Sequence, residues 1–391
     1  MSMSQERYLE PAIAADLSDK MVLLGGPRQV GKTTLAEQVA ARSSHALYLS
    51  WDRRTDRRQL MAAQWPTEPS CIVLDELHKY RRWKQWLKGE YDRHRRHHQF
   101  LVTGSARLDI FRRGGDSLQG RYHHYRLHPF SVAELTGPPH RITPMTPLPD
   151  ASPVPTTILP QLLRYSGFPE PILAQSDRVH RRWQKERLER FVREDVRELE
   201  QIRDLSAMQL LTDLLPTRVG SLLSLNAIRE DLEVSHRALT HWMEILERLY
   251  FSFRILPFYR RHSTGLKKMP KLYLWDWSLV PDPGARFENL VAAHLLKLCH
   301  YLEDTEGYAT QLWYLRDLDK HEVDFLVTVN RRPWFAVEAR LQDTVPSKTL
   351  RYFGERLAIP HLYQVVCEGT RHFVQDGVHV EPAPRFFSRL C

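Results

Sequence analysis

Short apolar runs alternate with helix-length segments over the first third of the chain. The runs are Met21–Leu24, Ala46–Leu49, Ile72–Leu74 and Phe100–Val102, with helical patterns such as Lys32–Arg42 and Trp83–His94 between them. Short buried strands that alternate with helices predict a parallel sheet covered on both faces, that is, an α/β fold. We place this domain at residues 1–136.

The pattern changes abruptly after residue 136, where prolines become frequent. They are Pro138, Pro139, Pro144, Pro147, Pro149, Pro153, Pro155 and Pro160. Because proline cannot continue a helix or a central strand, residues 137–160 are predicted to be a linker or a long surface loop.

The remaining chain divides into a helical region and a small α/β region. Residues 161–280 are mostly helical, and Asn226–Leu232, His236–Leu249 and Tyr250–Pro257 give the order helix, turn, helix, strand. That order is typical of a winged helix. Residues 281–391 begin with the helix Phe287–Cys299 and continue with short strands, which predicts a separate C-terminal α/β domain.

The strongest motif is a phosphate-binding loop that lies between the first strand and the first long helix. It has the form G-x-x-x-x-G-K-[ST], in which glycines let backbone N–H groups surround phosphate oxygens. Lys32 would reach the β- and γ-phosphates and assist catalysis, and the hydroxyl of Thr33 would bind Mg²⁺. The residues predicted to bind the nucleotide are Gly26, Pro27, Arg28, Gln29, Val30, Gly31, Lys32, Thr33 and Thr34.

Two further strands end in polar residues that complete a nucleotide-hydrolysing site. Asp75 and Glu76 follow the apolar run at residues 71–74, and ligands of open α/β sheets bind at such strand ends. We predict that Asp75 holds Mg²⁺ and that Glu76 polarises the attacking water. Thr103 and Ser105, at the end of the next strand, are candidates to sense the γ-phosphate.

Two arginines downstream of these strands are candidates to stabilise charge in the transition state. They are Arg107 and Arg121, and the second lies in the segment LQGR. Arg121 would act either on its own nucleotide or on that of a neighbouring copy, and the second arrangement requires a homo-oligomer. A solvent-exposed arginine in a basic chain is the alternative for each of them.

Several segments together resemble a known family. They are GGPRQVGKTTL (25–35), LDELHKYRRW (74–83), LVTGSARL (101–108), LQGRYHHYRLHPFSVAEL (118–135), GFPEP (167–171), KMPKLYLWD (268–276), FENLVAAHLL (287–296) and HEVDFLV (321–327). In order and spacing they resemble bacterial and archaeal AAA-type (AAA_14-like) P-loop ATPases that carry a C-terminal DUF4143 domain. The resemblance covers nearly the whole chain. It implies an AAA-like ATPase that uses ATP and Mg²⁺, a winged-helix-like middle region and a C-terminal fold similar to PD-(D/E)XK nucleases.

The resemblance to such nucleases points to four residues of the C-terminal domain. Glu288 lies on the helix, Asp324 lies in EVDF, and Glu338 and Arg340 stand where the family's acid-x-lysine pair is expected. Carboxylates would hold Mg²⁺ and the lysine would orient water. Arginine stays protonated and is no isostere of lysine, which favours a domain that no longer cuts nucleic acid. An active metal-dependent nuclease remains the alternative.

Charge adds a class of partner to this description. The 391 residues include 56 Lys and Arg against 47 Asp and Glu, and arginines cluster at Arg53, Arg54, Arg57 and Arg58 among other places. A net charge of +9 suggests a polyanion bound through phosphate contacts, with a solvated basic surface as the alternative. Among nucleic acids we expect DNA more than RNA. A nucleotide-driven switch or scaffold that acts on protein partners is the second hypothesis.

The cysteines and the length of the apolar segments lead to further expectations. Its four cysteines form no CxxC pair, so neither a disulfide framework nor a zinc site is expected. No signal peptide and no apolar stretch long enough to span a membrane are found, and we expect a cytoplasmic protein.

Overall fold

The structure is a computed structural model, and it describes residues 6–104, 118–137, 140–196, 204–259, 269–342 and 345–391. The chain forms two compact units. The first contains the residues up to His128 together with Arg248–Tyr250, and the second contains Pro129–Glu247 and Phe251–Cys391. Each unit is built around a sheet of its own.

The first unit is a five-stranded sheet with helices in the connections. Its strands are β1 (Met21–Gly25), β2 (Ala46–Ser50), β3 (Ser70–Asp75), β4 (His98–Thr103) and β5 (Tyr122–Arg126). Its helices are α1 (Glu10–Asp16), α2 (Lys32–Ala40), α3 (Arg54–Met61) and α4 (Trp83–His94). The strand order is β2-β3-β4-β1-β5 and every pairing is parallel, so the predicted parallel sheet is confirmed.

Burial explains why these runs form strands and where they end. β1 and β3 are buried along their whole length, and Ile72 and Phe100 share a core with Leu87 of α4. Parallel pairing places the carboxyl ends at one edge of the sheet, where Asp75 pairs in register with Ser50 and with Thr103. β4 lies between β1 and β3, so this edge brings the phosphate-binding loop and the acid pair to one side of the sheet.

The second unit contains ten helices and eight strands within its described residues. The helices are α5 (Val132–Thr136), α6 (Ile158–Tyr165), α7 (Pro169–Ala174), α8 (Asp177–Arg190), α9 (Leu205–Leu214), α10 (Leu225–Asp231), α11 (His236–Arg248), α12 (Pro283–Glu306), α13 (Lys348–Leu357) and α14 (Ala383–Phe387). The strands are β6 (Ser252–Pro257), β7 (Lys271–Leu274), β8 (Thr310–Arg316), β9 (Glu322–Val329), β10 (Arg332–Arg340), β11 (His361–Val366), β12 (Phe373–Gln375) and β13 (Val378–Pro382). They form one mixed sheet in the order β12-β13-β11-β10-β9-β8-β6-β7.

This sheet crosses the boundary that we placed at residue 280. β6 and β7 form an antiparallel hairpin after α10 and α11, and β6 also pairs in parallel with β8, where Leu256 lies opposite Trp313. The strand that follows the helix-turn-helix order therefore extends the C-terminal sheet. The winged-helix interpretation stays a prediction, and the nuclease-like interpretation of α12 to β11 stays one as well.

The proline-rich stretch has neither helix nor strand at residues 140–157, but it is anchored to the second unit. The indole N–H of Trp334 donates to the carbonyl oxygen of Thr146 at 2.7 Å. The Arg389 guanidinium donates to the carbonyl oxygens of Leu148 and Pro149 at 3.1 and 2.7 Å. These bonds to backbone carbonyls fix the middle of the stretch against the C-terminal part of the chain.

Residues 129–136 pack with the second unit, although we placed them in the ATPase domain. The N–H of Val132 donates to Nε2 of His294 at 3.2 Å. The Lys297 ammonium donates to the hydroxyl of Ser131 at 3.0 Å and also contacts Glu134. Because these side chains are buried, α5 is held to α12 by polar bonds that are costly to break.

Candidate nucleotide site and a second acid cluster

The phosphate-binding loop takes a backbone path that needs glycine. Gly26 has φ +145° and Gly31, which precedes α2, has φ +98°, both in the region that side chains rarely adopt. A Cβ on Gly26 would lie 2.6 Å from the carbonyl oxygen of Leu127. The loop therefore runs in close contact with the chain after β5, with no room for a side chain.

Lys32 is the first residue of α2 and is buried. Its ammonium donates to the carbonyl oxygens of Gly26 and Pro27, at 3.0 and 2.8 Å. The lysine therefore folds back over the loop at the helix N-terminus, where backbone N–H groups and the helix dipole favour an anion. Thr33 and Thr34 are exposed beside it.

The other predicted loop residues differ in exposure. Arg28 is half-buried, Gln29 is exposed and Val30 is buried. Gln29 has φ +64°, in the left-handed region.

Arg7, which lies outside the motif, is hydrogen-bonded to the phosphate-binding loop. The buried guanidinium of Arg7 donates to the carbonyl oxygens of Val30 and His128, at 2.9 and 2.5 Å. It joins the phosphate-binding loop to the segment that follows β5. No sequence signal pointed to Arg7, because its partners are backbone atoms of distant residues.

Asp75 is buried at the carboxyl end of β3, and both of its carboxylate oxygens accept hydrogen bonds. The hydroxyl of Thr103 on β4 donates to one oxygen. The phenol of Tyr48 on β2 donates to the other at 2.5 Å. Burial and this bond raise the pKa of Tyr48, so the phenol remains a donor. Two neighbouring strands thus fix the orientation of the carboxylate.

Glu76 leaves the strand in a left-handed conformation with φ +55°. Its N–H donates to the carbonyl oxygen of Thr103 at 3.1 Å, which holds the turn against β4. Its carboxylate lies 3.6 Å from Nε2 of His78 and 3.6 Å from the ammonium of Lys79. Burial raises the pKa of Glu76, while the positive charges of Lys32 and Lys79 oppose that rise. The carboxylate is therefore a stronger base than an exposed glutamate.

Arg121 is not brought to this site. It precedes β5 at the amino end of the sheet, where its carbonyl oxygen accepts from the N–H of Met21. Its guanidinium binds Asp92 at 2.7 and 3.0 Å. Because the loop follows the opposite end of β1, a role at its own chain's nucleotide is not supported. A role toward a neighbouring copy stays a prediction. Ser105 and Arg107 lie outside the described residues.

Two predicted acids of the C-terminal domain, Glu288 and Asp324, lie against a lysine that sequence reasoning missed. Lys271 of β7 is buried, and its ammonium lies 3.3 Å from Glu288 of α12. It lies 2.7 Å from Glu322 and 3.6 Å from Asp324, both on β9. We call Glu288, Glu322, Asp324 and Lys271 the acid cluster. Lys271 belongs to the segment KMPKLYLWD, but nothing in the sequence placed it beside these acids.

Glu288 is held from several sides. The phenol of Tyr273, two residues after Lys271 on β7, donates to it at 2.7 Å. A Cβ added to Gly220 would lie 3.2 Å from its carboxylate, so backbone packs against it. Burial first, and the charge of Asp324 second, raise the pKa of Glu288 to about 7.

Glu338 and Arg340 behave differently from a metal-binding acid and a catalytic lysine. Arg340 pairs with Glu338, whose side chain is almost fully buried. Asp324 accepts a bond from the N–H of Ala339 at 3.0 Å. Among the residues that the structure describes, the one group of three side chains with ligand atoms within 4.8 Å of one another is Asp317, Asp319 and His321. The predicted nuclease acids do not form such a group.

The first unit has the organisation of a P-loop nucleotide-binding domain, and family comparisons agree with it. Residues 18–136 match the AAA domain family AAA_14, and residues 283–386 match the domain of unknown function DUF4143. Residues 156–282 match a further domain of unknown function, DUF8612. The chain therefore combines an AAA domain with a DUF4143 domain, and the family resemblance drawn from the motifs is confirmed.

Two relatives and one solved structure show how far the similarity extends. Uncharacterized protein Rv2008c of Mycobacterium tuberculosis is 22% identical over 386 residues, which cover 94% of this chain and 81% of the relative. Uncharacterized protein MJ1544 of Methanocaldococcus jannaschii is 23% identical over 210 residues, 51% of this chain and 46% of the relative. The Aeropyrum pernix ORC1 protein in complex with DNA is 14% identical, with 74% of this chain and 93% of that chain covered. Its TM-score is 0.33.

Within the described residues, no helix is both long enough and apolar enough to cross a bilayer.

Proposed function

We propose that the AAA domain hydrolyses ATP with Mg²⁺ and that the chain couples this reaction to the binding or remodelling of DNA. One observation carries the first half of the proposal. The loop with Lys32, the carboxylates of Asp75 and Glu76, and the hydroxyl of Thr103 lie at the carboxyl edge of one parallel sheet. Ligands of such sheets bind at this edge.

The residues present fit a nucleotide and its metal ion. The fit rests on a loop with no room for a side chain at Gly26 and on a buried lysine ammonium bonded to loop carbonyls. Residues 26–34 would bind the phosphates, while Thr33 and Asp75 would hold Mg²⁺. The bound ion would supply positive charge to the terminal phosphate groups.

Glu76 is the residue that we assign to the attacking water. Its carboxylate is next to the metal-binding candidate Asp75 in sequence, and burial gives it the basicity that water activation needs. Glu76→Gln should lower ATP turnover about 100-fold while ATP still binds. Phosphate release and fluorescent-nucleotide binding measure the two effects. Unchanged turnover in this variant would contradict the assignment.

A basic surface with aromatic rings near the same edge supports DNA as the partner. The rings of Trp51, after β2, and Tyr80, after β3, are stacked with centroids 5.0 Å apart and planes 22° from parallel. Both rings are partly buried against the core of the first unit; exposed arginines follow Trp51 in the chain, and the guanidinium of Arg57 lies over Trp51 at 6.0 Å. We call this set the arginine surface: Trp51, Arg53, Arg54, Arg57, Arg58 and Tyr80. Aromatic rings with cationic side chains suit a single strand, since bases stack and phosphates pair.

A short chain of ion pairs joins the arginine surface to Glu76. The ammonium of Lys79 lies 2.7 Å from Asp52, which follows Trp51, and 3.6 Å from Glu76. A strand of DNA that displaced Asp52 or Lys79 would change the charge around Glu76. This connection gives DNA a physical route to alter ATP turnover.

The experiment measures ATP turnover and DNA binding for two matched variants. Arg54→Ala/Arg57→Ala removes two charges from the arginine surface. Arg95→Ala/Arg96→Ala removes two exposed charges that precede β4, at the opposite edge of the sheet. The first should weaken single-stranded DNA binding at least tenfold at low salt and abolish stimulation, and the second should do neither.

Other outcomes of this experiment separate the two halves of the proposal. If DNA neither binds nor stimulates turnover in the unmodified chain, the DNA half fails. A nucleotide-driven switch that acts on a protein partner would then be favoured. If ATP is not hydrolysed under any condition, the first half fails as well.

The C-terminal domain, in our proposal, does not cut nucleic acid. Arg340 binds Glu338 and cannot take the proton-sharing role of a lysine. Incubation of the full chain with DNA and RNA, in Mg²⁺ and in Mn²⁺, should give no cleavage. Cleavage that disappears in Asp324→Ala would overturn this part of the proposal.

A further inference from the structure

The acid cluster of the second unit already contains a cation of its own. The ammonium of Lys271 lies within 3.6 Å of a carboxylate oxygen from each of Glu288, Glu322 and Asp324. We propose that Lys271 is the resident cation of this cluster. It takes the place that a divalent metal ion has in PD-(D/E)XK nucleases, and its removal turns the cluster into a divalent-cation site.

The charges around the cluster leave little for a metal ion to neutralise. Arg316 lies 2.5 Å from Glu322, and Arg340 pairs with Glu338. With all three acids of the cluster ionised, Lys271 and Arg316 face the carboxylates of Glu288, Glu322 and Asp324, which leaves a formal charge of −1. A divalent cation binds tightly where several carboxylates have no positive partner, which is not the case here.

The strand that carries Lys271 fixes its ammonium in place. Lys271 and Tyr273 are two residues apart on β7, so their side chains point to the same face of the sheet, and both contact Glu288. Lys271 also pairs with Ile255 of β6 and bridges to Leu222. The backbone pairing therefore fixes where the side chain begins, and the three ion pairs hold its ammonium among the acids.

The residues expected to hold a metal ion therefore do not fit one in this chain. The oxygens of Glu288 and Asp324 lie around an ammonium, which binds as a point charge with three donors, and Glu338 pairs with Arg340. The inference concerns the second unit alone, so its failure and that of the ATPase proposal are distinguishable.

Binding of Mn²⁺ to the full chain without nucleotide tests the inference. Calorimetry and electron paramagnetic resonance would be applied to the unmodified chain, Lys271→Met and Lys271→Met/Asp324→Asn. Lys271→Met should bind one Mn²⁺ more per chain than the unmodified protein, and the double variant should lose it. The same stoichiometry in a folded Lys271→Met would overturn the inference.

A matched control removes another buried lysine of the same unit. Lys297→Met deletes the ammonium that contacts Ser131 and Glu134. Because a single carboxylate with a hydroxyl makes a poor cation site, this variant should gain no Mn²⁺. A gain as large as that of Lys271→Met would show that the effect is not specific to the acid cluster.

A second measurement keeps the inference testable if Lys271→Met does not fold. The thermal midpoints of the unmodified chain and Asp324→Asn are compared with and without Mn²⁺. Equal shifts in the two proteins support a cluster that binds no metal. A Mn²⁺-dependent shift that Asp324→Asn abolishes would show that the unmodified cluster binds the ion, and would contradict the inference.

Discussion

Each unit of the chain holds a buried lysine near carboxylates, but the two ammonium groups face different partners. Lys32 donates to the carbonyl oxygens of Gly26 and Pro27, which are neutral. Lys271 lies against three carboxylates. A bond from an ammonium to a carboxylate is stronger than one to a carbonyl, so an incoming phosphate competes far better for the first lysine than for the second.

The backbone also differs between the two lysines, because only Lys32 lies at a helix N-terminus. Lys32 begins a helix after a glycine loop, where N–H groups and the helix dipole attract an anion. Lys271 lies in a strand whose two sides are paired. The backbone around Lys32 therefore favours an anionic ligand, whereas the backbone around Lys271 holds the lysine within a sheet.

Removal of each lysine should affect stability very differently. Lys271→Met leaves Glu288, Glu322 and Asp324 together without their shared cation, which should cost about 3–5 kcal/mol of unfolding free energy. Lys32→Met removes the bonds to two loop carbonyls and should cost about 1 kcal/mol. Urea unfolding, followed by tryptophan fluorescence, measures both. Equal losses of unfolding free energy in the two variants would contradict the proposed difference between the two lysines.

For ATP turnover we expect the opposite order, with a larger loss in Lys32→Met than in Lys271→Met. Lys32→Met removes the positive charge that would contact the transferred phosphate, and it should lower ATP turnover about 10²- to 10³-fold. Lys271→Met, in the other unit, should stay within about twofold of the unmodified chain wherever it remains folded. Phosphate release at saturating ATP is the measurement. A large loss in Lys271→Met would mean that the acid cluster contributes to nucleotide hydrolysis.

The sequence revealed the first of these two sites far better than the second. The loop that ends in Lys32 and Thr33 occupies eight consecutive positions, and the acid pair ends an apolar run, so local patterns are sufficient to find them. The parallel sheet then follows from the alternation of strands and helices. Strand order, which places Thr103 between the loop and Asp75, could not be obtained from the pattern alone.

Residues whose partners lie on other strands were missed or misplaced because they too depend on strand order. Lys271 meets Glu322 only because β6 pairs in parallel with β8, a contact that no periodicity predicts. Tyr48 reaches Asp75 from the neighbouring strand in the same way. Arg121 was proposed because it follows the strand that ends in Thr103, but the chain returns it to the amino edge of the sheet.

The pH dependence of stability offers a finer test of the acid cluster. Burial is the main cause that raises the pKa of Glu288 from the ordinary value of 4.5 to about 7. The folded chain therefore keeps this proton where the unfolded chain loses it, so the stabilisation is full below pH 4.5 and is lost as pH rises through 7. Relative to Glu288→Gln, the unmodified chain should lose about 1–3 kcal/mol between pH 5 and 8.

An exposed glutamate provides the control for that experiment. Glu355 lies on the exposed side of α13, and Glu355→Gln should follow the unmodified chain at every pH. Urea unfolding at several pH values gives the curves. If Glu288→Gln also runs parallel to the unmodified chain, the carboxyl of Glu288 is not held protonated by its surroundings.

The smallest effect is expected at Tyr48, which orients the metal-binding candidate Asp75. Tyr48→Phe deletes the 2.5 Å bond to this carboxylate and should cost about 1 kcal/mol of stability. Because Thr103 still binds the other oxygen, turnover should fall less than about tenfold, with a severalfold rise in the Mg²⁺ concentration needed for half-maximal rate. Tyr125→Phe removes a matching 2.5 Å bond, to Asp16, and should change stability alone. An equal Mg²⁺ dependence in both variants would show that Tyr48 supports the fold and not the metal ligand.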